Sequence, residues 1–387
     1  MPDKLNQRIG IVGGGQLGKM MILEAKKLGF RVAILDPGPN CPAHSIADDH
    51  IVAGFGDYDA YFALAERADI VTCELEHVNT EALAALEAGG KPVRPSAASI
   101  RVIQDKLLQK SALARAGLPT PEFRPTRGVQ DVYDCAERFG YPFLLKAARG
   151  GYDGRGNRLI GGAGDIPAAF GALGPECFAE RFAAFEKEVS VLACRGLDGG
   201  IAVYPVAENT HAENILRETR VPAAVSPEQS AAAVELARRV MQVFDGVGMF
   251  CVEMFIGDKC GPSGVCINEV APRPHNSGHY TIEGCVTSQF EQHIRAVCGL
   301  PLGSAALLSP CVTRNLLGAE GASGEAAYMG VEEALAIEGL SLHIYGKERT
   351  SPRRKMGHFT VIAPTLESAV EKSGQAAAVL RCRAGNK

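Results

Sequence analysis

Short apolar runs alternate with helical segments through the first hundred residues, and this alternation leaves few folds open. Residues Arg8 to Asp36 read strand, glycine turn, helix, strand: a run ending at Val12, then Gly13-Gly-Gly15-Gln16-Leu17-Gly18, then Met20 to Gly29, then Arg31 to Asp36. The pattern continues with a strand edge at 46–52, a helix from Tyr58 to Arg67, a strand from Ile70 to Cys73 and a helix from Thr80 to Gly89. That order predicts a parallel sheet covered by helices. Glycines at 13, 15 and 18, with Asp36 beyond them, satisfy the spacing of a dinucleotide site. The underlying physics is only that of an anion at a helix N-terminus, so another phosphorylated ligand, or a tight turn without ligand, meets it too. Glu74 and Glu76 follow the strand 70–73. Carboxylates there lie over the ligand crevice of a parallel sheet, and a helix-start cap accounts for them equally.

A second glycine-rich stretch, Lys146 to Asn157, packs glycines at 150, 151, 154 and 156 among Lys146, Arg149 and Arg155, directly after the apolar run Tyr141 to Leu145. Glycine permits positive φ and close approach of backbone N–H groups to a ligand, and the basic side chains add positive charge. The stretch lacks the Gly-Lys-Ser/Thr ending of a P-loop and reads as a flap that covers phosphates; the bland alternative is an exposed turn. Around it lie a helical segment from Ser96 to Ala116 carrying Asp105-Lys106, a proline-rich step at 117–121, and strands near Phe123, 142–146, 158–160 and 177–182. Together they suggest a small lid over a nucleotide. Glu180 ends one strand and Glu188 opens the next, so both are placed to face the gap between lid and body.

The runs Met249 to Ile256 and Val265 to Ala271 flank a turn-rich segment and predict an antiparallel hairpin. If the turn is symmetric about Gly261, Glu253 and Glu269 stand opposite each other on one face, about 4.5–5.5 Å apart at Cβ. A hard divalent cation such as Mg²⁺ makes such a pair tolerable and leaves positions for phosphate oxygens. Asn268 belongs to the other face of a regular strand, and its use as a ligand requires a bulge. A surface hairpin of accidental register is the alternative. The loop that follows, Arg273-Pro-His275-Asn276-Ser277-Gly278-His279, offers a guanidinium, imidazoles, an amide and a hydroxyl, a donor set suited to a sugar phosphate. Further on, Lys347 and Arg353-Arg354-Lys355-Met-Gly-His358 form a basic cluster, set off from the body by the alanine- and glycine-rich stretch around 317–330.

The net charge of −4 gives no basic surplus, which argues against nucleic acid or an anionic membrane as partner. No signal-peptide pattern opens the chain and no apolar run reaches the roughly 18 residues of a membrane span, so a cytoplasmic protein is expected. The 12 cysteines are scattered without a C-x-x-C pair, which points to reduced core residues rather than zinc sites.

Four blocks, GGGQLGKM at 13–20, GGYDGRG at 150–156, NEVAPRPHNSGH at 268–279 and RKMGH at 354–358, together with the carboxylate hairpin, make the chain resemble the ATP-grasp superfamily. Within it, the chain resembles the N5-carboxyaminoimidazole ribonucleotide synthases of microbial purine synthesis, over essentially its whole length. The resemblance implies a mixed α/β and α+β ATP-grasp fold: a Rossmann-like domain at 1–104, an ATP-grasp domain at 105–305 with its lid at about 120–185, and a small β-rich domain at 306–387. It implies a ligase that takes 5-aminoimidazole ribonucleotide, ATP and bicarbonate, through carboxyphosphate, to N5-carboxyaminoimidazole ribonucleotide, ADP and phosphate.

By the same resemblance, Lys106, Lys146, Gly151, Tyr152, Asp153, Gly154, Arg155, Gly156, Asn157, Glu180, Arg181, Phe182, Ala183, Glu188, His211, Asn268 and Glu269 hold ATP. Tyr152, Asp153 and Arg155 act at the reacting centre. Glu253 and Glu269 hold Mg²⁺, two ions in all, with Mn²⁺ as an alternative. Gly15, Gln16, Leu17, Asp36, Glu74, Arg273, His275, Asn276, Ser277, Lys347 and Arg354 form the ribonucleotide site, and this recasts the first glycine loop. A homodimer is implied, with the product passed to a separate mutase. The rivals are another ATP-grasp enzyme, such as a formate-using transformylase or a biotin-dependent carboxylase subunit, which would share Glu253 and Glu269 but lack the loop 274–279, and a nicotinamide-dependent dehydrogenase or a non-catalytic nucleotide-binding module, which would bind through Gly13 to Gly18 and need no metal.

Overall fold

The computed structural model describes residues 4–151 and 156–385. Tyr152, Asp153, Gly154 and Arg155, the flap residues given catalytic and nucleotide roles above, lie outside the described residues.

The N-terminal alternation folds as expected. Strands β1 (Arg8–Val12), β2 (Arg31–Leu35), β3 (Asp49–Ile51) and β4 (Ile70–Cys73), interleaved with α1 (Gln16–Lys27), α2 (Tyr58–Glu66), α3 (Thr80–Ala88) and α4 (Ala97–Ile103), form a parallel sheet of order β3-β2-β1-β4. Both faces are covered, which is why β1 and β2 read as nearly unbroken apolar runs. Val12, Leu35, Tyr61, Leu64 and Leu83 fill one side; Ile9, Ile11, Met21 and Ile34 fill the other. The segment 96–116 is two helices rather than one. Asp105 caps α5 (Lys106–Arg115), its carboxylate accepting from the N–H groups of Leu107 at 3.1 Å and Leu108 at 3.0 Å. A side chain that competes for backbone donors ends one helix and starts the next.

The lid is an antiparallel sheet of order β5-β8-β6-β7, made of β5 (Phe123–Thr126), β6 (Phe143–Ala147), β7 (Asn157–Ile160) and β8 (Cys177–Arg181), with α6 (Val129–Phe139) and α7 (Ile166–Leu173) on one face. Lys146 pairs with Asn157 at the end of β6 and β7 where the chain connects them, so the flap is the connection of a hairpin.

The body adds β9 (Lys187–Arg195), β10 (Ile201–Val203), β11 (Ala207–Ala212), β12 (Ile215–Val221), α8 (Pro227–Phe244), β13 (Gly248–Ile256), β14 (Val265–Ala271), α9 (Thr281–Gly284) and α10 (Gln289–Val297). Alternation along β9 sends Val189, Val191 and Ala193 to α8 and Leu192 and Cys194 to the side of α10. Phe290, Ile294 and Val297 of α10 also pack into the core of α1 and β1, tying the body to the first sheet.

The last unit comprises β15 (Cys311–Leu317), β16 (Gly324–Met329), α11 (Val331–Leu335), β17 (Leu340–Ile344), β18 (Arg349–Thr350), β19 (Lys355–Ile362), α12 (Leu366–Val379) and β20 (Arg381–Ala384). It is not set off from the body. Glu218 to Val221 of β12 pair with Arg314 to Cys311 of β15, so one nine-stranded sheet runs β14-β13-β9-β11-β12-β15-β19-β17, with β10 on β9. The stretch 317–330 contains β16, which pairs with β18 and β20 in a small sheet. Its small residues suggest a linker on composition, but Tyr328 and Ala326 pack beside the core of Met356, Phe359 and Val361.

Because β12 is an interior strand, removal of residues 306–387 would turn it into an edge with unpaired backbone groups, the kind of surface that templates aggregation. A chain ending at residue 305 is expected to aggregate on size-exclusion chromatography. Recovery of a monodisperse fragment with an unchanged unfolding midpoint would contradict the shared-sheet description.

Candidate functional site

At the tip of the β13–β14 hairpin, Ile256 faces Val265, Phe255 faces Cys266 and Met254 faces Ile267. Continued, that register would set Glu253 against Asn268. A bulge skips Asn268 and brings Glu253 opposite Glu269, after which Val252 pairs with Val270. The expected pair is therefore present, but a turn symmetric about Gly261 does not produce it; one extra residue in β14 does. The same bulge frees Asn268, whose Oδ1 is buried without a hydrogen-bond partner.

Burial pushes the Glu253 carboxyl up to about 7, and facing Glu269 adds to the effect. Lys106, the first residue of α5, donates from Nζ to Glu269 Oε2 at 2.8 Å. The two facing carboxylates offer oxygens of the kind a hard divalent cation takes, and the adjacent Asn268 has an amide oxygen without a partner. Among the described residues no group of three or more His, Cys, Asp or Glu side chains is arranged to hold a metal alone. Such an ion needs further oxygens from a ligand.

One helical turn past Lys106 stands Lys110, which the sequence reading did not single out although the i, i+4 spacing places both on one face of α5. Glu180 of β8 receives Lys110 Nζ at 2.5 Å and Lys146 Nζ at 2.6 Å, and Lys110 also donates to Thr120 Oγ1 at 2.9 Å. Lys146 and Glu180 are diagonal neighbours on β6 and β8, which explains their common face. Burial works to raise the Glu180 carboxyl, but the two ammonium groups outweigh it and hold it below the usual range.

On β9 and β11, Glu188 pairs with His211. Burial opposes the His211 charge, and Glu188 with Glu253 behind it overcomes that, raising the imidazole above its ordinary value. The Arg181 guanidinium turns away from this gap to Glu122, Nη2 to Oε2 at 3.0 Å, over the Phe139 ring. Only its backbone, with exposed Phe182 and half-buried Ala183, borders the lid–body connection.

The first glycine loop holds a carboxylate of its own chain. Gly15 N–H donates to Glu74 Oε1 at 2.6 Å and Gly18 N–H to Glu74 Oε2; Gly14 N–H donates to Asp36 Oδ2 at 2.8 Å and Gly38 N–H to Asp36 Oδ1 at 2.8 Å. A Cβ on Gly15 would lie 2.5 Å from Glu74 Oε1, and Gly13, at φ +107°, has Glu74 Cγ at 2.2 Å from the equivalent position. The glycines thus admit Glu74 where a dinucleotide fold admits a pyrophosphate, and the dehydrogenase reading loses its donors. Burial raises the Glu74 carboxyl, opposed by the Gly18 and Gly15 amides. Leu17 packs into the core below and Gln16 opens α1, so of these two only Gln16 is placed at the loop surface.

Beside that loop, Arg273 Nε donates to Glu76 Oε2 at 2.6 Å. Burial alone would raise Glu76, but the Arg273 charge and hydrogen bond pull it down to about 2. The loop after β14 is clamped by buried Gln289, whose Oε1 accepts from His275 N–H at 2.8 Å while Nε2 donates to His275 O at 2.7 Å. Both amide atoms of Asn276 are buried without partners.

From the last unit, Lys347 lies over the Tyr345 ring and donates to Lys355 O at 2.7 Å; burial, with Arg354 and Lys355, pushes it down to about 8. Arg354 sits on an exposed loop and donates to Arg349 O at 2.7 Å. Lys19 of α1 reaches Tyr345 O at 3.1 Å, which joins this loop to the glycine loop. His358 is structural. It stacks between His279 at 4.3 Å and His343 at 4.5 Å, and burial holds it neutral.

Three families of domains match in this order: the ribonucleotide synthetase preATP-grasp domain at 6–104, the ATP-grasp domain at 111–290, and the phosphoribosylaminoimidazole carboxylase C-terminal domain at 311–372. The phosphoribosylaminoimidazole carboxylase of Schizosaccharomyces pombe is 41% identical over 367 residues, which cover 92% of this chain and 65% of that protein, so the chain spans about two thirds of that relative. The crystal structure of N5-carboxyaminoimidazole ribonucleotide synthetase from Thermotoga maritima superposes with a TM-score of 0.89 at 45% identity, covering 98% of this chain and 100% of that one.

The chain belongs to the N5-carboxyaminoimidazole ribonucleotide synthase family. Another structure from this synthase family, from Aspergillus clavatus in complex with ADP and 5-aminoimidazole ribonucleotide, superposes with a TM-score of 0.89 at 35% identity, covering 97% and 99% of the two chains. The ATP-grasp fold expected from sequence is the fold of the family. All 12 cysteines are free, and all but half-buried Cys41 are buried, as reduced core residues should be. No described helix is long and apolar enough to cross a membrane.

The Arg273–Glu76 pair has a pH signature. A carboxyl depressed from 4.5 to about 2 contributes stability that is present above about pH 4.5 and lost as pH falls through its folded value. The stability advantage of the wild type over Glu76→Gln in chemical denaturation is therefore expected to shrink steadily between those two values. A constant difference would contradict the pairing.

Proposed function

We propose that this chain is an ATP-dependent ligase that carboxylates 5-aminoimidazole ribonucleotide with bicarbonate, giving N5-carboxyaminoimidazole ribonucleotide, ADP and phosphate in purine synthesis. The observation that carries the reading is the convergence of the Glu253–Glu269 pair and Lys106 with the donor loop 273–277. The family relationship supplies the substrates.

In this reading Lys106 and Lys146 neutralise the triphosphate, while Glu180, Ala183, Glu188 and His211 surround adenine and ribose. Both lysines are already paired with carboxylates, so phosphate arrival exchanges one anionic partner for another rather than creating a charge. Glu253, Glu269 and Asn268 hold Mg²⁺, which when bound draws charge from the β- and γ-phosphate oxygens. A bicarbonate oxygen attacks the γ-phosphorus, ADP leaves, and the carboxyl group of carboxyphosphate, or CO₂ released from it, is captured by the substrate amine. The flap 150–156 excludes water from an intermediate that hydrolyses readily. Asp153 is assigned to the substrate amine and Arg155 to the oxyanion, with Tyr152 beside them, on the family likeness.

Arg273, His275, Asn276, Ser277, Lys347 and Arg354 are assigned to the ribonucleotide, with Gly15, Gln16, Asp36 and Glu74 at its edge. Lys347, its charge weakened by burial beside other cations, gains most from a phosphate. A cytoplasmic homodimer whose product goes to a separate mutase completes the proposal.

The reading is tested by phosphate release from ATP with bicarbonate and ribonucleotide each omitted in turn. Full turnover is expected only with both present. Turnover that ignores bicarbonate would transfer the chain to another ATP-grasp reaction. Arg273→Ala removes a charged donor worth about 1.5–3 kcal/mol, so KM for the ribonucleotide should rise roughly 10- to 100-fold, and KM for ATP much less. An equal rise in both would contradict the placement.

A further inference from the structure

From Ser277 of the loop 273–277 a line of buried polar side chains runs back to Ser190, Asn209 and Thr219, three residues that neither the catalytic reading nor the sequence motifs account for. Thr219, Asn209, Ser190 and Ser277 are 1%, 7%, 1% and 1% exposed. Asn209 faces Thr219 across β11 and β12 and lies diagonal to Ser190 across β11 and β9, so the ladder itself puts the three on one face.

Their hydrogen bonds have a direction. Thr219 Oγ1 donates to Asn209 Oδ1 at 3.0 Å, Asn209 Nδ2 donates to Ser190 Oγ at 2.9 Å, and Ser190 Oγ donates to Ser277 Oγ at 2.9 Å. An amide NH₂ only donates, so the Ser190 proton has to pass onward to Ser277. The Ser277 hydroxyl, already accepting, turns its own proton to His275 Nδ1 at 2.9 Å. An independent contact fixes the sign at this end. The backbone N–H of Ser277, which cannot accept, donates to the same Nδ1 at 3.3 Å. Nδ1 is an acceptor, so the ring proton is on Nε2, and Nε2 stands 3.6 Å from Glu253 Oε1.

We propose that Thr219, Asn209, Ser190 and Ser277 are positioning residues that hold His275 as its neutral Nε2–H tautomer, presenting an N–H donor beside Glu253, where the ribonucleotide site meets the acidic pair, to the oxygens of phosphate and bicarbonate. The proposal rests on the functional reading above for the identity of those oxygens. The opposite tautomer would aim a lone pair at negative oxygen and oppose the approach of both anions. A neutral donor stabilises developing charge without supplying a second cation that competes with the metal. The Ser277 N–H on Nδ1 and the Glu253 carboxylate beside Nε2 favour this tautomer too, and the directed line reinforces them by adding a hydroxyl donor at Nδ1.

The test uses the whole enzyme with ¹⁵N-labelled histidine, the His275 ring signals being those lost in His275→Asn. The wild type is expected to carry its ring proton on Nε2. Asn209→Asp keeps the shape but replaces a donor with an acceptor, so the Ser190 and Ser277 hydroxyls turn back along the line. The Nε2–H signal should then weaken and kcat should fall by roughly tenfold or more, while KM for ATP and for ribonucleotide stays within about threefold. Ser190→Ala breaks the line without adding charge and serves if the aspartate variant fails to fold. Ser190→Thr, which keeps the hydroxyl, should restore both tautomer and kcat. A wild-type proton on Nδ1, or an unchanged tautomer and kcat in Asn209→Asp and Ser190→Ala, would overturn the proposal. The spectrum reads the tautomer whatever reaction the enzyme runs, so its failure is distinguishable from loss of bicarbonate dependence, which refutes the functional reading alone.

Discussion

Two carboxylates face each other across one pair of strands, and the rest of the structure is arranged around the cost of keeping them there. Glu253 and Glu269 repel, and burial adds to the penalty, as the rise of Glu253 to about 7 shows. Lys106 offsets part of this by pairing with Glu269. Like charges are held at such a spacing only by a stiff support, and the support is visible: β13 is hydrogen-bonded along its whole length to β9, with α8 and α10 packed on the two faces of those strands. A cation carrying phosphate oxygens would convert the repulsion into coordination, so the arrangement strained without nucleotide would become the favourable one with it.

The lid solves a related problem by other means. Lys110, Glu180 and Lys146 form a buried array with one surplus positive charge. Lys110 lies on the core side and Lys146 heads the flap, so if Lys146 turned toward a phosphate, Glu180 would still have a partner in Lys110. The glycine loop of the first sheet shows the same economy, because Glu74 already occupies the anion position of α1. Across the site, donors are held by internal anions, and water gains no foothold on naked charges.

Much of this was legible in the chain because it follows from period and spacing. The parallel first sheet, the lid with its flap connection and the acidic hairpin all come from patterns of apolar residues and glycines. The hairpin is instructive: counting outward from Gly261 finds the correct pair, but the tip register is shifted by one residue and the bulge at Asn268 shifts it back. The glycine loop carried a dinucleotide spacing, yet its occupant, Glu74, comes from another strand far along the chain, and no local pattern reveals that. Lys110 and the line Thr219, Asn209 and Ser190 behind Ser277 were invisible for a different reason. Their meaning depends on burial, and a lysine or asparagine in a mixed segment gives no sign of being buried. The run of small residues at 317–330 misled in the opposite direction, since short side chains serve close packing of a small sheet as well as they serve a linker.

The central claim is that the facing glutamates act on nucleotide through a metal. Calorimetric titration of ATP with and without Mg²⁺, in the wild type and in Glu253→Gln and Glu269→Gln, tests it most directly. The account predicts that Mg²⁺ tightens wild-type binding by at least about tenfold, roughly 1.4 kcal/mol. Each glutamine should abolish most of that gain while leaving metal-free binding equal or tighter, because one acid fewer then faces the triphosphate. Variants that keep the full Mg²⁺ gain would contradict it.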